Sequence, residues 1–334
     1  MRNQIRNIAR SRGLENAILV SILLFLFNLI FPLHDSVILA IINELLVFLT
    51  VLFLYHYVHQ FLNSKVDSPL TLVLNAGILA ALIFFIVSIA NSILGSQDNS
   101  KGIGFFNSLF SVLLTFVFIG SIVYIFSTFR ELFFLRQKKD LSTFFHTMLI
   151  FFALSFFSNM LVLFNPSLDY PKDAFYVVTI VLICLNSTRV SWIAFLTKKQ
   201  KYYLLMISVI LSALFGINFA TFIDNSIMRQ IVYTFSPGLH TFMSLVMIYG
   251  TINFAVIFFT TLFHLPTAEA FDRKAQEVNF LQYFSKLIME SVDFKDLADT
   301  VTEIATKVCN ANAAWIAWKE GNEFKSLANK NIGF

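Results

Sequence analysis

Two charged residues lie deep inside otherwise apolar runs of this chain: Glu44, in "AIINELLVF", and Arg189, in "LNSTRVSWIAF". An ionisable side chain in hydrocarbon is costly, and such residues bind, relay or pair. Glu44 sits eight residues in from one end of its run, and Arg189 eight residues short of the opposite end of its own. At 1.5 Å per residue each is about 12 Å deep. In a hydrocarbon core of about 30 Å their heights differ by about 6 Å, within reach of two long side chains. Two readings stay open. The residues form a polar ligand site or switchable ion pair, or they are structural, with Arg189 snorkelling beside Trp192.

Amides are the next candidates. Asn28, Asn43, Asn75, Asn107, Asn159, Asn186, Asn218 and Asn253 place one amide in each of eight apolar runs. Asn commonly bonds across helices in membranes for stability alone. A polar cavity is the other use, and it adds Asn43, Asn159 and Asn218 to Glu44 and Arg189 as ligand-binding candidates.

Other chemistry finds little support. No proteolytic triad, H-E-x-x-H zinc helix or phosphate-binding P-loop is present. All six histidines fall near predicted membrane edges, which leaves no mid-membrane imidazole pair for a haem. His56 and His59, spaced i,i+3, have no third ligand nearby and read as interfacial. The seventh and eighth runs contain no lysine to carry a retinal Schiff base. No catalytic residue, metal or cofactor is expected in this stretch.

The elements that must position these residues are membrane spans. The chain is 57% hydrophobic with 41 Phe, and only 13% is charged, where soluble domains carry about a quarter. Eight runs approach the roughly 20 apolar residues a spanning helix needs: 15–32, 36–58, 70–94, 104–126, 144–164, 174–196, 202–223 and 236–263. The first is short, and Gly216 and Asn218 interrupt the seventh, so hydropathy alone leaves seven spans open. Charge favours eight. With eight spans, one set of connecting segments carries Arg2, Arg6, Arg10, Arg12, Lys65, Arg130, Arg136, Lys138, Lys139, Lys198, Lys199 and Lys201. The opposite set carries only Lys101, Lys172 and Arg229. That bias predicts a plasma (inner) membrane protein with both termini cytoplasmic.

No small-x-small cleavage pattern follows the first run, so it reads as a retained helix rather than a signal peptide. Cys184 and Cys309 suit a reducing compartment and offer no disulfide framework. The net charge of +4 reflects inner segments, hence anionic lipid contact rather than nucleic acid. Short outer segments restrict any sensed signal to something small, lipidic, or a property of the bilayer. The lack of an internal repeat weighs against a transporter.

Near "HLPTAEAFDRK" the composition changes: the last 69 residues hold 8 Lys+Arg and 10 Asp+Glu. Phe271, Ala275, Val278, Leu281, Phe284 and Ile288 recur at threes and fours, making one apolar stripe on a helix. The stripe continues the last span, so Phe271, Val278, Leu281, Phe284 and Ile288 are expected to relay a signal and to pair with a second copy. A lone amphipathic helix lying on its own neighbouring domain explains it equally well. Asp293 then caps a helix whose apolar face is Phe294, Leu297, Val301, Ile304 and Val308. "AAWIAW", a turn at Gly321 and "EFKSLA" predict a strand hairpin.

This last passage resembles the opening of a GAF domain. The resemblance rests on Asp293 with Leu297, on Asn310 to Ala314 leading into the first strand, and on Ala328 and Gly333 after the hairpin. It implies the incomplete start of an α/β fold whose ligand pocket is built mainly from later strands, so no ligand residue carries over. A passage that stops in mid-pattern predicts a fragment of a longer protein. The division is then a basic N-terminus (1–14), an eight-helix sensor bundle (15–265), a linker helix (266–291) and a partial GAF domain (292–334).

The order of bundle, linker and GAF start resembles bacterial membrane signalling receptors. Those continue into a histidine kinase, a PPM-type serine/threonine phosphatase or a diguanylate cyclase, and the linker looks most like the phosphatase group. The expected function is the sensing and relay part of such a receptor, homodimeric through the linker and responsive to a small or lipidic ligand. A small-solute transporter or channel using Glu44 and Arg189 is the alternative. A membrane-embedded lipid-modifying enzyme is a third, without a catalytic constellation to support it.

Overall fold

A computed structural model describes residues 2–31, 36–65, 68–94, 105–135, 142–164, 169–223, 226–290, 294–309, 311–321 and 323–331. The chain divides into two compact units, Met1–Leu265 and Pro266–Phe334.

In the first unit, α1 (Arg2–Ile30), α2 (Val37–Lys65), α3 (Pro69–Leu94), α4 (Phe105–Phe134) and α5 (Ser142–Phe164) each provide a span. So do α6 (Asp169–Ser187) with the 3-10 segment that follows it, α7 (Lys198–Ile223) and the first part of α9 (Pro237–Glu290). Among the described residues, eight helices are thus long and apolar enough to cross a membrane. The seventh is unbroken at Gly216 and Asn218, because Asn218 Nδ2 spends its hydrogen bond on the carbonyl of Ala80 in α3, 2.9 Å away. Between α7 and α9 the chain forms α8 (Ile227–Phe235), a short helix capped by Ser226, where the sequence suggested only a loop.

The sixth span departs further from expectation. Helix α6 stops at Ser187, and a separate 3-10 segment covers Ser191–Phe195. Arg189 therefore lies in a non-helical break. The reason is local: "NSTR" offers hydroxyl and amide groups that compete with the helical ladder. Thr188 Oγ1 donates to Leu185 O at 2.9 Å, and Arg189 N to Asn186 O at 3.2 Å.

Helix α9 forms the centre of the bundle. Every residue from 241 to 250 is buried, as expected of a helix apolar on all sides. It is contacted by α4 through Phe129 and Tyr249 (centroids 4.9 Å apart), by α7 through the stacked rings of Phe215 and Phe254 (5.5 Å), and by α6 through Tyr176 and Ser244 (3.3 Å). Gly250 makes the α7 approach possible, since a Cβ there would run into the Phe215 ring.

The amides act largely as crosslinks between helices. Asn28 bonds Asn43 (2.9 Å), Asn75 the Tyr124 hydroxyl (3.3 Å), Asn159 the Thr241 hydroxyl (2.9 Å) and Asn186 the carbonyl of Phe144 (3.4 Å). The side chain of Asn107 lies outside the described residues.

In the second unit, α10 (Phe294–Val308) is followed by an antiparallel hairpin, β1 (Ala314–Glu320) and β2 (Glu323–Lys330), in register from Ala314↔Lys330 to Glu320↔Glu323. Gly321 turns the hairpin at φ +64°, a conformation glycine adopts without strain. Ala298, Thr302 and Ile304 of α10 and Ala328 of β2 are buried, and Lys330 pairs with Glu303 at 3.4 Å. Helix, hairpin and turn fall where the sequence placed them, although Asp293 lies outside the described residues.

Candidate functional site

Glu44 is 2% exposed and faces the start of α9. The sequence there, "FSPGL", is a helix-start signal: serine at the cap, proline at the first helical position. Ser236 Oγ accepts the N–H of Leu239 at 3.0 Å and donates its own hydrogen to Glu44 Oε2 at 2.9 Å. The N–H of Gly238 points to Glu44 Oε1 at 3.4 Å. A carboxylate from α2 thus reads the positive end of α9 and one of its unpaired first-turn donors. Gly238 is required by this approach, because a Cβ would overlap the Glu44 carboxylate and lie 2.8 Å from Phe156.

Asn43 completes the junction. It donates to the last carbonyl of α8, Phe235 O, at 2.6 Å, and accepts from Asn28 of α1. One turn into α9, Thr241 accepts from Asn159 of α5 and donates to Pro237 O at 3.2 Å. Of the five ligand candidates, the structure therefore brings Asn43, Glu44 and Asn159 to the beginning of one helix. Asn218 is elsewhere, on α7, bonded to Ala80 of α3. Ser236 and Gly238 were not singled out in the sequence, although "SPG" directly before an apolar run was the signal.

Arg189 does not reach Glu44. Its guanidinium lies over the Phe144 ring, 4.1 Å from the centroid, beside a narrow crevice whose α9 wall includes Tyr249 and Asn253. Those residues are 11 and 15 positions along α9 from Gly238, about 16–22 Å at helical rise. Among the described residues no ion pair joins Glu44 and Arg189. The geometric argument for a pair assumed a continuous sixth helix, and the break after Ser187 removes that assumption.

Two spaces lie along α2, α4 and α5. The first is an apolar cavity of about 280 Å³ lined by Phe48, Tyr55, Phe126, Phe152, Phe156 and, from α9, Phe242. Phe156 also packs where Gly238 meets Glu44, so cavity and cap share a side chain. The second is a polar cleft of about 500 Å³ containing His59, Arg130, Glu131 and His146. There His59 Nδ1 meets Glu131 Oε1 at 2.6 Å. His56 bonds Gln60 instead (2.8 Å), so the two histidines serve different partners. The sequence treated Arg130 as a loop charge and passed over Glu131. The signal was the apolar "LFFL" after "RE", which carries α4 on to Phe134.

Within the linker part of α9, Val278 and Leu281 are exposed, at 50% and 61%. The side chains of Phe271, Phe284 and Ile288 lie outside the described residues.

No protein-family model, curated protein or solved structure matches the chain. With eight apolar helices of spanning length among its described residues, it is a multi-pass helical membrane protein.

Proposed function

We propose that this chain is the sensing and relay portion of a membrane receptor of the bacterial signal-transduction kind, in which a small lipidic ligand in the Phe48–Phe152 cavity biases α9. The observation that carries this reading is the continuity of α9. One helix of 54 residues forms a cavity wall at Phe242, is capped against Glu44 at Ser236, and runs on to Glu290. A continuous helix that joins a ligand-lined segment to the linker is what a mechanical relay requires. The charge bias of the connecting segments supports a plasma-membrane location with both termini cytoplasmic.

The relay ends in a unit that we read as the start of a GAF domain, leading to an output module such as a phosphatase or kinase. The α10–hairpin arrangement supports this reading. A transporter built on Glu44 and Arg189 loses its motivating geometry, since the two residues sit at different levels along α9.

The linker stripe supports a homodimer. In a chain whose Cys184 and Cys309 are replaced by serine, single cysteines placed from 271 to 288 should crosslink between protomers with a period of about 3.5 residues. Uniform crosslinking along the helix, or none in folded protein, contradicts the relay through a paired linker.

A further inference from the structure

The polar cleft beside the apolar cavity plays no part in the cap of α9. Helices α2, α4 and α5 line both spaces, one turn apart: Tyr55 then His59 on α2, Phe126 then Arg130 on α4, and Leu149 then His146 on α5. Tyr55 lines the cavity and touches two residues of the cleft. Its ring stacks on His59 at 6.5 Å, and the Arg130 guanidinium lies 5.7 Å from its centroid.

The carboxylate of the cleft is taken by a histidine rather than by the arginine beside it. Glu131 is engaged by His59 at 2.6 Å. Arg130 lies over two rings, that of Tyr55 at 5.7 Å and that of Phe134 at 5.6 Å. Stacking of this kind uses the guanidinium face and leaves its N–H edges for an anion. His146 offers a second imidazole at the exposed rim, its Nδ1 held by Ser142 O at 2.5 Å. Basic pockets between spans suit acidic lipid head groups. On the apolar side, Leu52 and His56 at the rim are exposed, so the cavity is reached from outside the bundle rather than sealed within it.

Resting on the proposed sensing role of the cavity, we infer that cavity and cleft form one site for a single-chain amphiphile with an anionic head. The chain lies among Phe48, Phe126 and Phe152, and the head is held by Arg130 with His146 beside it. From Phe48 to His59 is 11 residues, about 16 Å of helix, which gives the site an elongated form. A fatty-acid carboxylate and a lysolipid phosphate share this chemistry.

Equilibrium binding to the full chain in a neutral detergent tests it, with hexadecanoate, a lysophosphatidate of equal chain length, and uncharged hexadecanol. One or both anions should bind saturably and at least about tenfold more tightly than hexadecanol, the size expected of a charge-assisted contact. Binding of the carboxylate alone identifies a fatty acid, and binding of the phosphate alone a lysolipid. Arg130→Gln should remove the anion preference and leave hexadecanol unaffected, while Ala153→Phe, which fills the cavity, should weaken all three. Equal affinity for hexadecanol and both anions in the parent protein overturns the inference without relying on any variant. So does an Arg130→Gln protein that melts like the parent and keeps the preference. Anion binding with no change in linker crosslinking would remove the relay and leave this site standing. A crosslinking change on Ala153→Phe without anion preference would do the reverse.

Discussion

Glu44 Oε2 accepts the hydroxyl hydrogen of Ser236 at 2.9 Å while the same hydroxyl caps α9, so a carboxylate on the second span fixes the start of the last one. Replacing Glu44 by alanine leaves a buried hydroxyl and the Gly238 N–H without their acceptor. Each orphaned group costs about 1–3 kcal/mol. Glu44→Ala should therefore lower the melting temperature in detergent clearly, and Glu44→Gln, which keeps an acceptor oxygen, should lower it less. Equal melting of the parent and Glu44→Ala would show that the contact does not hold α9.

Gly238→Ala tests the same junction sterically. The added methyl meets Phe156 and Glu44 together, and overpacking of a tight core costs about 1–3 kcal/mol. Because Phe156 also lines the apolar cavity, the variant should reduce hexadecanoate binding as well as stability. A destabilised protein with parental binding would separate the cap from the cavity.

Asn218→Leu should be nearly harmless. Its bond to Ala80 O is a single contact, and Asn218 Oδ1 is buried without a partner among the described residues. Interhelical hydrogen bonds of this kind average about 0.6 kcal/mol in membranes. A loss above about 2 kcal/mol, measured by thermal or denaturant unfolding, would mean that the residue does more than tie α7 to α3.

Much of the bundle was legible because twenty apolar residues are a long signal and the connecting charges agree with it. The limits were local. Hydropathy does not register a helix break, so Arg189 was placed on a continuous helix when the polar run "NSTR" ends α6 at Ser187. Glu44 was found because a lone carboxylate in an apolar run is conspicuous. Its partners were missed because Ser236 and Gly238 are 192 and 194 residues away and neither is charged. Arg130 and Glu131 were missed because the fourth apolar run was ended at Phe126, whereas α4 continues to Phe134. The hairpin was readable from a glycine between two alternating runs, and Gly321 does hold the positive φ.

Pro266 lies inside α9, at the boundary of the two compact units. It has no N–H to give to the carbonyl of Leu262, and proline in a helix interior costs about 3 kcal/mol. Pro266→Ala should restore that bond and slow amide hydrogen exchange over residues 267–270. Unchanged exchange there would show that the proline does not weaken the helix at this point.

The central claim is that the state of the Phe48–Phe152 cavity reaches the linker through α9. Disulfide crosslinking of Val278→Cys and Leu281→Cys, in a chain with Cys184 and Cys309 replaced by serine, measures this most directly when repeated with Ala153→Phe filling the cavity. A rotation or shift of α9 should change which of the two positions crosslinks more efficiently. An identical ratio with the cavity open and filled, in proteins that fold equally well, would contradict the account.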